Sequence, residues 1–136
     1  MLEFTPTPDS NGVGYATLGY QAQDDGGTAS GGVDLDPVVR TLTIDVAGVN
    51  DAPENGVPGP QTINQDTTLV FSAGGGNSIG VSDIDADGSP LRITLTATNG
   101  VLTLSSLTGL SFSGGDGTAD ATMTFDGSLT DINAAL

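Results

Sequence analysis

Leu91, Ile93, Leu95 and Ala97 alternate with Arg92, Thr94 and Thr96. A period of two puts the apolar side chains on one face of an extended strand, whereas a helix would scatter them around its circumference. The same period recurs along the sequence. Ala16, Leu18, Tyr20 and Ala22 share a face within residues 15–23. In residues 39–46, Leu42, Ile44 and Val46 oppose Thr41, Thr43 and Asp45. Further extended runs are expected over residues 61–71, ending in Leu69 and Phe71, and over 79–81, 101–104, at Leu110 and Phe112, and at Ala121, Met123 and Phe125. Glycine, asparagine, aspartate and proline separate these runs at intervals of roughly 8–12 residues, the spacing of an all-β sandwich or barrel. Asn99-Gly100 is a strong hairpin signal between 91–97 and 101–104. Only the C-terminal end looks helical, where Thr130 can N-cap a turn over 131–136 with Asp131 near its positive end. The pattern predicts an all-β, antiparallel sandwich of about seven to nine short strands with one helical turn near the C-terminus.

Composition narrows the function. Among 136 residues, 17 acids face two arginines, for a formal charge of −15. Nucleic acid and anionic membrane surfaces need a basic face, so both are excluded as expected partners, and divalent cations are favoured. Apolar residues reach 36% and alternate regularly, so the charge does not signal disorder. There is no Cys, His or Lys. That removes thiol, Ser-His-Asp, Schiff-base and His-metal chemistry, and the expectation is a non-enzyme. A carboxylate-pair hydrolase would need two acids held about 5–9.5 Å apart in a cleft, which nothing in the sequence builds. No apolar run approaches the ~20 residues of a membrane span. The N-terminus lacks the basic and apolar regions of a signal peptide, so the sequence reads as a piece of something larger, or as one exported by a signal elsewhere.

Residues 49–60 carry three prolines and two glycines, and form the expected boundary. The organisation expected is 1–48, a linker at 49–60, and 61–136.

The densest chemistry lies at Asp83, Asp85 and Asp87, closed by Gly88-Ser89-Pro90, with Arg92 the one cation within reach. Carboxylates at alternate positions repel unless a cation sits among them, and hard oxygens suit Ca²⁺. An EF-hand would need Glu at the position held by Thr94 and helices on both sides, so that motif is excluded. Residues 114–120 superficially resemble a calcium-binding nonapeptide, but the aspartate is displaced by one and no second copy follows, so a turn is expected.

Several strings carry a resemblance. VNDAP at 49–53 is followed by a Q-T-x-N-x-D-T-T-L-V-F opening at 61–71, by SDIDADGSPLRITLTATNGVLTL at 82–104, and by GDGTADATMTFDGSLTDINAAL at 115–136. Together they resemble the junction between tandem cadherin-like (Ig-like β-sandwich) repeats of large bacterial RTX-type, type I-secreted surface adhesins. Phe4 to Pro8 with Asn11-Gly12 resembles the start of the second half of such a repeat, and Asp24-Asp25-Gly26-Gly27 its acidic turn. In the family that half follows the DINAAL segment, whereas here it comes first. The resemblance therefore implies that 1–48 is the C-terminal half of one repeat and 61–136 the N-terminal half of the next. Neither half would be stable alone, so one sandwich would form by intramolecular closure or by exchange between molecules.

The resemblance further implies a calcium-stiffened extender module of a cell-surface adhesin, serving cell adhesion or biofilm. Asp83 and Asp85 match its junction D-x-D pair, and Asp51, Asp66 and Asn50 are further metal ligands in falling order. Asp87 comes last, without a clear role in the family. Gln65 stands where the family carries an acid, which removes a charge from the site. Asp24 and Asp25, in their acidic turn, are a further candidate pair. The implied partners are neighbouring repeats and a host or matrix surface, and the implied setting is extracellular. The alternative is a carbohydrate- or ligand-binding β-sandwich, which would want aromatic platforms. Against it stand two Tyr, four Phe and no Trp. An Asp loop that only solubilises a turn is the non-functional account of the same residues.

Overall fold

A computed structural model describes residues 1–86 and 88–136. The protein is mostly β, with seven short antiparallel strands in small sheets and one short C-terminal helix. It divides into two compact units, Met1–Asn50 and Asp51–Leu136.

In the first unit, β1 (Gly12–Tyr20) pairs antiparallel with β2 (Arg40–Val46). Leu18 lies opposite Leu42 and Ala16 opposite Ile44, while Thr17 faces Thr43. One face of the ribbon is therefore apolar and the other is lined with threonine, as the alternation dictates. A bulge interrupts the register between Gly12 and Ala16. Gly14 adopts φ +67° there, and its N–H donates to Asp45 Oδ1 at 2.6 Å. Beyond β1 the ribbon continues as a Gln23–Leu35 bridge, closed by a short turn of 3₁₀ helix at Ala29–Gly31. Residues 4–8 lie against β1, where the Phe4 and Tyr15 rings meet edge-on at 6.5 Å and Thr7 N–H donates to the Tyr15 hydroxyl. None of these fifty residues is buried. Leu42 is 58% exposed.

The second unit holds the core. β5 (Leu91–Thr96), β6 (Ser111–Gly114) and β7 (Thr122–Gly127) form a sheet in the order β5-β7-β6. β3 (Glu54–Gly56) pairs separately with β4 (Gly80–Ser82). On β7, Met123 and Phe125 are fully buried, opposite Leu95 and Ile93. The Phe125 ring packs against Phe112 at 5.4 Å. Gly127 completes that face, because a Cβ there would come within 2.7 Å of Leu110 Cδ2. The outward positions pair by polarity. Thr94 meets Thr124 at 3.1 Å, and Arg92 forms a two-pronged pair with Asp126, both contacts at 2.8 Å.

Helix α1 (Leu129–Ala135) seals the core with Ile132 and Ala135. Its cap is Ser128, two residues before the expected Thr130. Ser128 Oγ accepts the Asp131 N–H at 3.1 Å and donates to Asp131 Oδ2 at 2.7 Å. The side-chain cap that Ser128 provides to the first turn decides the start. At the other end, Ser105 Oγ donates to the carbonyls of Ala134 and Ala135, and Ser105 N–H to that of Ala135. These carbonyls have no partner within the helix. Asn133 joins α1 to β4. Its Oδ1 accepts the Val81 N–H at 2.9 Å, and its Nδ2 donates to the Val81 carbonyl at 2.8 Å. One side-chain amide thus does for β4 what a neighbouring strand would do.

Three expected elements differ. Residues 61–71 are not a strand. Asp66 takes φ +63°, Thr67 Oγ1 donates to the Asn64 carbonyl, and buried Asn77 bonds Ser72 N–H, the Val70 carbonyl and Gln61 Oε1. Hydrogen bonds from side chains to the backbone hold this segment as a loop. Asn99-Gly100 does not turn a hairpin, since β5 pairs with β7 and Leu102 bridges Asp120 in the lead-in to β7. Burial of Leu95 and Ile93 against Met123 and Phe125 outweighs local turn preference. Within the proline-rich stretch 49–60, Glu54–Gly56 forms β3 between Pro53 and Pro58, where the backbone donors are intact.

Three measurements check this architecture. Phe125→Ala is expected to cost about 3–5 kcal/mol in urea unfolding. Asn133→Ala strands both backbone groups of Val81 and should cost about 1–3 kcal/mol for each group left unpaired. Hydrogen bonds from Arg92 hold the Asp126 carboxyl below its ordinary value of 3.8. A carboxyl lowered on folding adds stability that is present above its unfolded value and lost as pH falls through the folded one. Arg92→Ala should therefore flatten the acid limb of the stability–pH curve.

Candidate functional site

The loop after β4 is built from two linked aspartates. Asp85 N–H donates to Asp83 Oδ1 at 3.2 Å, the local bond by which an Asx side group turns its own backbone. Asp85 Oδ2 in turn accepts the Asp51 N–H at 3.0 Å across 34 residues. Each bond satisfies a backbone donor with a charged acceptor, and charge-assisted bonds of this kind are the stronger class. Ser89 N–H closes the loop on the Ala86 carbonyl at 2.6 Å. Asp83 and Asp85 are half-buried, while Asp51 is exposed.

The strands explain the placement. β4 delivers Asp83 directly after Ser82, and β3 starts three residues after Asp51, opposite Ser82. Pairing Glu54 with Ser82 brings the start of the second unit alongside the aspartate loop. Asp51 thus meets Asp85 through its backbone N–H, a donor and not a metal-ligating atom.

The remaining candidates lie differently. Asp66 sits in the 61–77 loop with its Oδ2 3.5 Å from Gln65 Nε2, and no hydrogen bond links it to the aspartate loop among the described residues. Asn50 is the last residue of the first unit. Asp87 falls outside the described residues. Asp24 caps its own turn, accepting the Gly26 N–H at 2.8 Å. Arg92, expected to lie within reach of the loop, is engaged by Asp126 instead. Arg40 pairs with Asp36 at 3.6 Å in the first unit. Residues 114–120 form a turn in which Asp120 Oδ2 accepts the N–H groups of Asp116 and Gly117.

Ca²⁺ takes six to eight oxygens at about 2.3–2.6 Å. Asp83 Oδ2 and Asp85 Oδ1 accept no hydrogen bond among the described residues, and both are hard donors on one loop. No group of three acidic residues that could hold a metal ion occurs among the described residues. Two such oxygens fall short of that number, and no further acidic group joins them among the described residues.

No family model matches the sequence, and no curated protein or solved structure is significantly similar to it.

In chelator-treated buffer, Asp85→Asn keeps an oxygen to accept the Asp51 N–H and should leave stability within about 0.5 kcal/mol. Asp85→Ala removes the acceptor and should cost about 0.5–1.5 kcal/mol by urea unfolding.

Proposed function

We propose that this protein is a non-catalytic, calcium-binding extender module of a bacterial surface adhesin, with Asp83 and Asp85 as one side of a calcium site shared across a junction. The observation that carries this proposal is the Asp83–Asp85–Asp51 linkage, which draws the start of the second unit onto the D-x-D loop. The VNDAP string and the segments after it supply the family resemblance. The remaining oxygens would come from a neighbouring repeat, consistent with a loop that supplies part of the shell. Asp66 and Asn50 stay secondary ligands of this proposal. A cation between these carboxylates would relieve their repulsion and fix the angle between neighbours, so a string of modules becomes a rod. Extracellular modules bind at about 10⁻⁴–10⁻³ M, concentrations met outside cells.

The finer fold belongs to the same proposal. An Ig/cadherin-like sandwich would cover the apolar face of β1 and β2 with a second sheet. A two-stranded ribbon is marginal by itself in water, which supports the need for such cover. Leu42→Asp tests it. A covered face makes the substitution cost several kcal/mol, on the order of burying an unpaired charge, while an unmoved unfolding midpoint contradicts the sandwich.

Melting with and without millimolar Ca²⁺ tests the calcium site. At the affinities of extracellular modules, millimolar calcium is about one- to tenfold over Kd, and binding to the folded state alone adds about 0.4–1.4 kcal/mol. The melting temperature should rise with calcium, and Asp83→Ala with Asp85→Ala should abolish the rise. A transition that calcium leaves unmoved refutes the site.

A further inference from the structure

Three Asn-Gly pairs occur in the sequence, at Asn11, Asn55 and Asn99. Asparagine followed by glycine is the sequence most prone to spontaneous loss of the carboxamide nitrogen, because no Cβ on the next residue hinders attack by its backbone nitrogen. The fold treats the three pairs unequally. Asn55 and Gly56 are both inside β3, in register with Val81 and Gly80. Asn11 has its amide packed along Gly48, where an added Cβ would come within 3.2 Å of Asn11 Cγ, and Gly12 is in register with Val46. Asn99 is different. It is exposed in the bend between β5 and Leu102, at φ +59°, outside every strand ladder, and Gly100 has open space where a Cβ would stand.

Other asparagine amides are committed to the architecture. Asn77 ties the 70–77 loop together, and Asn133 holds Val81. The Asn99 amide has no hydrogen-bond partner among the described residues.

We propose that Asn99-Gly100 is a site of self-modification in the folded protein, where the asparagine converts to aspartate and isoaspartate. Base removes the Gly100 backbone proton, and the nitrogen attacks Asn99 Cγ. The new C–N bond closes a succinimide ring as the bond from Cγ to Nδ2 breaks and ammonia leaves. Water then adds to one of the two ring carbonyls. Opening at one gives aspartate, and at the other isoaspartate, in which the backbone runs through the former side group. The net change is one water consumed and one ammonia released, with no oxidant and no catalyst beyond solvent base. The product adds one carboxylate, and in its isoaspartate form one backbone methylene, to a bend that no ladder constrains. The β5–β7 pairing is therefore retained.

Peptide mapping by mass spectrometry after incubation of the whole folded protein in mildly alkaline buffer tests this. The Asn99 peptide should convert several-fold faster than those of Asn11 and Asn55, and more slowly in acidic buffer. In concentrated urea the three should convert at similar rates, since the fold no longer distinguishes them. Gly100→Ala should slow conversion at Asn99 alone, and the open space at Gly100 accommodates the methyl without refolding. The proposal is overturned if Asn11 or Asn55 keeps pace with Asn99 in the folded protein. It also fails if urea preserves the Asn99 lead, or if Gly100→Ala leaves the Asn99 rate unchanged.

Discussion

The second unit depends on the burial of one face of β7. Met123 and Phe125 are the residues around which β5, β6 and α1 gather, and with Ile132 they are fully buried. Full burial of such a residue is worth about 1.5–3 kcal/mol relative to exposure. The polar groups around this core are paired. Ser128 and Ser105 serve the two ends of α1, Asn133 serves the flank of β4, and Arg92 with Asp126 occupies the outer face of the sheet. No buried side-chain nitrogen or oxygen lacks a partner among the described residues.

The first unit carries the same alternation without a buried residue. Its cross-strand pairs Leu18–Leu42 and Ala16–Ile44 are aligned as a core face would be, yet Leu18 and Leu42 remain exposed. Strand pairing there is specified by period and by the bulge at Gly14, not by burial. A ribbon of this kind gains little hydrophobic stabilisation of its own.

Legibility in the sequence followed the reach of each interaction. β2, β5 and β7 were readable because alternation is local and strong, whereas the helix start was placed two residues late, at Thr130, because Ser128 is the residue that caps Asp131. The segment 61–71 was misleading because its conformation is set by Asn77, a single buried amide later in the sequence. Asn99-Gly100 carries the letters of a hairpin, but pairing is decided by which strands bury Met123 and Phe125. Asn133 looked like any polar residue of a short helix, and its bond to Val81 spans 52 residues. The candidate site divides in the same way. Asp83 and Asp85 were visible through their spacing. Asp51 joins them by its backbone N–H, which no pattern of residue types encodes, and Asp66 lies in the loop that Asn77 shapes.

In the proposed site the Asp83–Asp85 loop and Asp51 act together in taking up calcium. Residue-resolved amide NMR during calcium titration tests that proposal. Saturable shifts concentrated at Asp51 and at residues 83–86, abolished by Asp83→Ala, are expected. Shifts absent from these residues, or spread evenly over the acidic surface without saturation, would contradict it.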